Sequence, residues 1–350
     1  MRIRALTGLT ALALLAGGCS LVGQEDDGAQ GVKQTQVTLV THESFDLPKD
    51  LVATFEKDTG YDLKISKLAD AGTLTNQLVL TKDKPVGDVV FGIDNAFATR
   101  AIEEGVFSGY APALPAGAEQ YELPGDGDDA LTPVDTGAVC VNVDSAWFRD
   151  QGVPEPQTLD DLTKPAYRDL FVVPAASTSS PGLAFLLATI GRYGEDWTGY
   201  WKRLVANGTK VVKGWTEAYF EDFTFSGGDR PIVVSYDSSP AFTLDKAGRK
   251  TSTRALLDGC FRQVEYAGVL KSGSTNTDGA HAVIDWLLSP EVQAALPGSM
   301  YVFPVAEDTT LPAEWAEFAK RPEKTEQVDP AEIAEKRKAW LEEWTDLTSR

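Results

Sequence analysis

The alternation of strands and helices in the first third of the chain restricts its fold more than any other feature. "VTLVTHESF" reads as a buried strand over 37–41 that runs into a polar loop. "LVATFEKDTG" follows, with apolar Leu51, Val52 and Phe55 at helical spacing and Gly60 as its stop. "DLKISKL" is a second strand, "TLTNQLVLTKD" a second helix and "GDVVFGIDN" a third strand. This β-α-β-α-β order predicts an α/β fold on a mostly parallel open sheet. Ligands of such sheets sit outside the carboxyl ends of the strands. The loops "HESF" (42–45), "ADAGT" (69–73) and "GIDN" (92–95) all fall at those ends, so they should meet along one edge.

A second α/β region begins after "LPGDGDDALTPV". It holds a strand in "DTGAVCVNVDSAWF", the strand "LFVVPA", a helix from Pro181, a helix over 197–205, and the strands "TKVVKGW" and "PIVVSYDSSP". "CFRQVEYAGVL" is a further strand, and "TDGAHAVIDWLLSPEVQAAL" reads as one helix. "DPAEIAEKRKAWLEEWTDL" is an amphipathic helix whose Ile333, Trp340 and Trp344 are packing anchors. No internal repeat is visible, and 350 residues suffice for two domains.

Charge and cysteine content narrow the function. With 52 acidic against 32 basic residues and a formal charge of −20, the chain lacks the cationic face that a nucleic-acid partner needs. Arg2 and Arg4, the short apolar run "ALTGLTALALLAGG" and Cys19 describe an export signal over 1–18, too short to span a bilayer. "LLAGGCS" resembles a bacterial lipobox, so the mature chain is expected to start at a lipidated Cys19 on the outer face of the cytoplasmic membrane. Residues 19–35 then form a polar tether. Cys140 and Cys260 remain, and an exported chain can pair them. His42 and His281 are too few for a histidine-rich metal site.

The run Ser177, Thr178, Ser179, Ser180 stands at the mouth of a helix. Ser180 serves as N-cap and Pro181 as first helical residue. The other hydroxyls, with free backbone N–H groups at the positive helix end, describe a seat for an anionic oxygen. Trp215 and Tyr236 each follow an apolar strand, the latter beside Asp237, Ser238 and Ser239. Aromatic faces and hydroxyl donors at equivalent strand ends describe a cleft for a small ligand.

"THESF", "GIDN", "STSSPGLAFLLATIG", "VVKGWTEAY", "SYDSSPAF" and "VFPV" followed by "TLPAEW" resemble the periplasmic thiamine-binding proteins of ABC importers, within the bacterial extracellular solute-binding family. The resemblance runs from about Val37 to the C-terminus. It implies a two-lobed (type II) fold that closes by a hinge: lobe 1 over 36–138 and 262–312, lobe 2 over 139–261, and C-terminal helices over 313–350 packed on the lobes. It implies thiamine or its phosphate esters as ligand, an ABC permease as partner, a monomer, no cofactor and no catalysis. By position, Trp215 and Tyr236 line the thiamine pocket, Gly72 and Ser179 contact the phosphate end, and Asp94 lies in the matching loop. His42 stands where the family has tyrosine, and Tyr301 where it has tryptophan. A thiazolium cation wants aromatic faces and carboxylates, for which Trp215, Tyr236, Tyr301, Glu43, Asp94 and Asp237 are the candidates. In this architecture Cys140 and Cys260 lie in segments that cross between lobes and are expected to be bonded.

Two alternatives carry their own residues. A ferric-ion binder of the same fold would use His42, Glu43 and Tyr236. A thiaminase-like enzyme would use Cys140 as nucleophile with a glutamate base, although "GAVCVNV" reads as a buried strand in which cysteine is a small hydrophobe.

Overall fold

A computed structural model describes residues 35–123 and 129–349, so the signal over 1–18, Cys19 and nearly all of the tether lie outside the described residues. The strands are β1 (Gln36–Thr41), β2 (Asp62–Lys67), β3 (Val89–Asp94), β4 (Phe107–Ser108), β5 (Thr132–Asp144), β6 (Phe171–Pro174), β7 (Lys210–Val212), β8 (Ile232–Tyr236), β9 (Thr253–Leu270) and β10 (Phe303–Pro304). They join one sheet in the order β2-β1-β3-β9-β5-β8-β6-β7, with β4 on β9 and β10 on β5. The two ends are parallel, β2-β1-β3 and β8-β6-β7. The centre, where β3, β9, β5 and β8 meet, is antiparallel.

The helices are α1 (Lys49–Thr59), α2 (Ala71–Leu80), α3 (Ala98–Glu103), α4 (Ser145–Gln151), α5 (Ser180–Tyr193), α6 (Trp197–Ala206), α7 (Trp215–Glu217), α8 (Thr277–Leu287), α9 (Pro290–Met300), α10 (Ala313–Phe318) and α11 (Pro330–Thr348). The single helix expected over 277–296 is divided into α8 and α9. Pro290 has no N–H to continue α8, and the Ser289 side chain caps the new start by accepting from the Val292 N–H. Residues 180–190 of α5 are buried on every side, which explains the apolar run after the hydroxyls.

Two long strands, β5 and β9, run through both halves of the molecule. Their pairing breaks at one place: Val139 lies opposite Phe261, yet Val141 lies opposite Leu256. Residues 257–260 thus face Cys140 alone, as a bulge. Gly259 turns there with φ +86°, and a side chain at that position would meet Leu159 at 2.7 Å. On one side of the break the sheet continues into β1–β4 and β10, here called the lobe 1 side, and on the other into β6–β8, called the lobe 2 side. Cys140 and Cys260 are disulfide-bonded at the break itself.

Helix α11 straps the back of the molecule. Its Trp344 meets Trp201 of α6 edge-on at 5.5 Å, and its Arg337 lies over the ring of Phe97, the residue before α3, at 5.8 Å. Ile333, Trp340 and Trp344 are buried, as their spacing predicts.

The disulfide spans 120 residues of chain, for which chain entropy provides a stabilisation of up to about 5 kcal/mol. Reductant should therefore lower the urea midpoint of the mature protein, with a loss of roughly 3–5 kcal/mol. Thiol titration of the denatured, unreduced protein should find neither cysteine free.

Candidate functional site

The polar loops of the two lobes face each other across the cleft. A small cavity of about 40 Å³ remains between them, lined on the lobe 1 side by His42, Ser44, Asp70, Ala71, Glu265, Met300 and Val302. Lobe 2 supplies Ser180, Pro181, Trp215 and Tyr236. Organic ligands fill sites of roughly 300–1,000 Å³, so admitting one requires the lobes to part.

Asp70 reaches across the cleft. It caps its own helix α2, accepting from the Ala71 N–H at 2.7 Å. The same carboxylate accepts from the Ser180 N–H at the start of α5 and from the Trp215 N–H at the start of α7, both at 3.0 Å. Burial pushes Asp70 above the usual carboxylate range, and these N–H groups partly offset the rise. In this structure the N–H groups at the starts of α5 and α7 are thus occupied by a carboxylate of the protein itself. Beside it, Gly72 lets α2 approach lobe 2: a Cβ there would lie 2.7 Å from the Thr178 carbonyl carbon. The Thr73 N–H donates to that same carbonyl group at 3.2 Å.

The cap of α5 falls one residue before its expected place. Ser179 holds the N-cap backbone position, and Ser180 is the first helical residue. Ser180 does not cap because its hydroxyl donates across the cleft to Asp94 Oδ2. Ser179 Oγ is buried and unpartnered, although it lies close enough to Asp70 to favour that carboxylate's charged form. Asp94 also accepts from the Ala96 and Phe97 N–H groups at 2.8 and 2.9 Å. Burial outweighs these bonds and raises Asp94 to about 6.

Trp215 is buried, and its Nε1–H donates to Ser235 Oγ at 2.9 Å, which fixes the ring. One neighbour, Tyr219, stacks on it at 5.1 Å, and Tyr236 meets it edge-on at 6.0 Å. His42 is lowered to about 4, by burial first and Lys67 second, so it is neutral near pH 7. Its Nε2 lies 3.5 Å from Glu265 Oε1, beside the cavity.

Other expected site residues are placed elsewhere. Glu43 is exposed and does not line the cavity, unlike His42 before it and Ser44 after it. Asp237 turns to the far side of β8, where it accepts from the Ala138 N–H at 3.1 Å and faces a separate cavity of about 430 Å³. Tyr301 packs on Phe242 and on the apolar cluster around Trp215, while its neighbours Met300 and Val302 line the cavity. Asp70, Asp135 and Glu265 escaped the sequence reading. An aspartate directly before a helix is a capping signal that could have marked Asp70. For Glu265 the only signal is a charge inside the apolar strand "CFRQVEYAGVL".

These positions bear on the alternatives. The His42–Glu43–Tyr236 set is not assembled, since Glu43 points away, and among the described residues no group of three His, Cys, Asp or Glu side chains could hold a metal ion. Cys140 is fully buried and bonded to Cys260, so it offers no nucleophile.

A sheet shared by two lobes, with a cleft at the strand ends, is the architecture of the two-lobed solute-binding proteins. Residues 84–328 match the family described as "Bacterial extracellular solute-binding protein", and the chain belongs to that family. It is 31% identical over 320 residues to the thiamine-binding periplasmic protein of Escherichia coli (strain K12), covering 90% of this chain and 94% of that one. The thiamine-binding periplasmic protein of Brucella melitensis biotype 1 is also 31% identical, with 90% and 92% covered. Among solved structures, a "Periplasmic thiamin binding protein" superposes with a TM-score of 0.79 at 30% identity over 90% of this chain and 96% of that one. The protein is an exported solute carrier and not an enzyme.

Asp94 makes stability depend on pH. Its folded value of about 6 lies above the unfolded value of about 3.9, so the folded state binds more protons between them. Its contribution is complete below about pH 4 and is lost as pH rises towards about 6. Urea unfolding near pH 4 and near pH 7 should show that Asp94→Asn removes on the order of 2–3 kcal/mol of this pH-dependent loss.

Proposed function

We propose that the protein captures thiamine and hands it to an ABC permease. The observation that carries this reading is the pairing of a fixed aromatic face, Trp215, with buried carboxyls, above all Glu265, around one cavity. Such a site favours a flat cation: the ring supplies stacking and cation–π attraction, and the carboxyls supply counter-charge. Thiamine has a permanently cationic thiazolium and an aminopyrimidine able to stack. Relatives that bear the name thiamine-binding periplasmic protein support the choice. On this reading the Ser180 and Trp215 N–H groups serve the hydroxyethyl or phosphate end of the ligand once the lobes part and Asp70 withdraws.

The lobes comprise 36–138 with 262–312 and 139–261, and they hinge at the break in β5–β9 pairing. The chain acts as a monomer, anchored through lipid on Cys19 and spaced from the membrane by residues 19–35. The composition of that tether supports the reading, since it holds few residues that could pack.

Thiamine should quench or shift tryptophan emission, and calorimetry should give a dissociation constant to compare with that of its monophosphate. Trp215→Ala should weaken thiamine binding by about 2 kcal/mol, roughly thirtyfold. Trp340→Ala, on α11, should lower the unfolding midpoint and leave the affinity of the folded protein nearly unchanged. In cells, Cys19→Ala should release the protein from the membrane fraction.

A further inference from the structure

Three carboxyls stand side by side across the middle of the sheet. Asp94 on β3 is the register partner of Glu265 on β9, and Glu265 is the partner of Asp135 on β5. Residues directly opposite in antiparallel pairs project from the same face, and like charges so placed repel. All three are buried. Among the described residues no lysine or arginine forms an ion pair with any of them, and the nearest basic group is His42 Nε2, 3.5 Å from Glu265. The buried Asp135 carboxyl accepts from no N–H or hydroxyl group of the described residues and has the Glu265 carboxyl as its hydrogen-bonding neighbour, while the buried His42 Nε2 has no hydrogen-bond partner among them.

Neighbouring buried carboxyls cannot all ionise without a counter-charge. Burial, then the charge of Asp135, pushes Glu265 well above the usual range, and burial does the same to Asp135. The surroundings identify which group holds the exchangeable proton. From the loop after β1, His42 is neutral, with Lys67 on the adjoining strand opposing its charge. From β8, Tyr236 is pushed far up by burial and keeps its proton. At the start of α2, Asp70 is held by three N–H groups. Beyond Asp94, Arg337 of α11 lies within electrostatic reach of it. This leaves the Glu265–Asp135 pair, of which Glu265 lines the cavity.

We infer that the Asp94–Glu265–Asp135 row is the charge-recognition element of the cleft and trades a proton for the charge of the ligand: the proton shared by Glu265 and Asp135 passes to solvent as an organic cation settles against Glu265 and Trp215. The identity of that cation rests on the thiamine reading above. The exchange keeps the summed charge of row and ligand the same before and after binding, because the cation takes the place of the departing proton. A neutral ligand of the same shape displaces no proton and gains nothing from the row.

Calorimetric titration with thiamine near pH 7 in two buffers of different ionisation enthalpy tests this. Expected is release of about one proton per thiamine bound, with Kd falling up to about tenfold per unit between about pH 6 and about pH 8. Glu265→Gln, and Asp135→Asn as a second variant, should reduce proton release towards zero and flatten the pH profile. Thiamine binding with the same heat in both buffers and the same Kd across that range would overturn the exchange and leave the thiamine reading standing. Proton release that persists in a folded, binding-competent Glu265→Gln protein would also overturn it. No thiamine binding at any pH would overturn the thiamine reading itself and the exchange with it.

Discussion

The pairing of β5 with β9 is the constraint on which the rest of the molecule depends. These strands are long enough to belong to both lobes, and their antiparallel ladder joins two parallel half-sheets into one. A continuous ladder that long would hold the lobes rigidly in line. The shift at Val139/Val141 concentrates the bend at one point, and the Cys140–Cys260 bond keeps the strands together where hydrogen bonding lapses. Strand ends from both lobes then face one cleft, so residues as distant as Asp70 and Trp215 share a hydrogen bond.

The sequence made the architecture legible in large part because periodicity is local. Alternating strand and helix patterns at 37–95 identify the parallel end of the sheet, and the apolar spacing of Ile333, Trp340 and Trp344 identifies the packed face of α11. The antiparallel centre was not legible in the same way, because it depends on which distant strands become neighbours. The split between α8 and α9 was readable in principle from Ser289-Pro290, a cap followed by a residue that cannot continue a helix.

The site was legible in its aromatic and hydroxyl parts and much less in its acids. Trp215, Tyr236, His42 and Ser180 line the cavity, and each stands at the end of a recognisable strand or start of a recognisable helix. A carboxyl gains its character from what surrounds it, and composition does not report that. Asp237 and Glu43 sit beside cavity residues in sequence yet point elsewhere, while Glu265 and Asp135, in the middle of long strands, meet only through sheet register. Ser180 illustrates the same limit: its backbone follows helix rules, but its hydroxyl answers to Asp94 from the other lobe.

Val139 and Phe261 stand in register on β5 and β9, and the whole of the chain between them lies beyond that pair. On the proposed lobe bounds, lobe 2 is an insertion made from one contiguous stretch, whereas lobe 1 must wait for its second half. Asp94 cannot meet Glu265 until the intervening chain has been made and gathered in. Closing so long a loop as flexible chain is entropically unfavourable, and prior collapse of the inserted lobe shortens the effective separation. The order of emergence from the export machinery thus favours completing the inner lobe before the outer one, with the acid row of the cleft among the last parts to assemble.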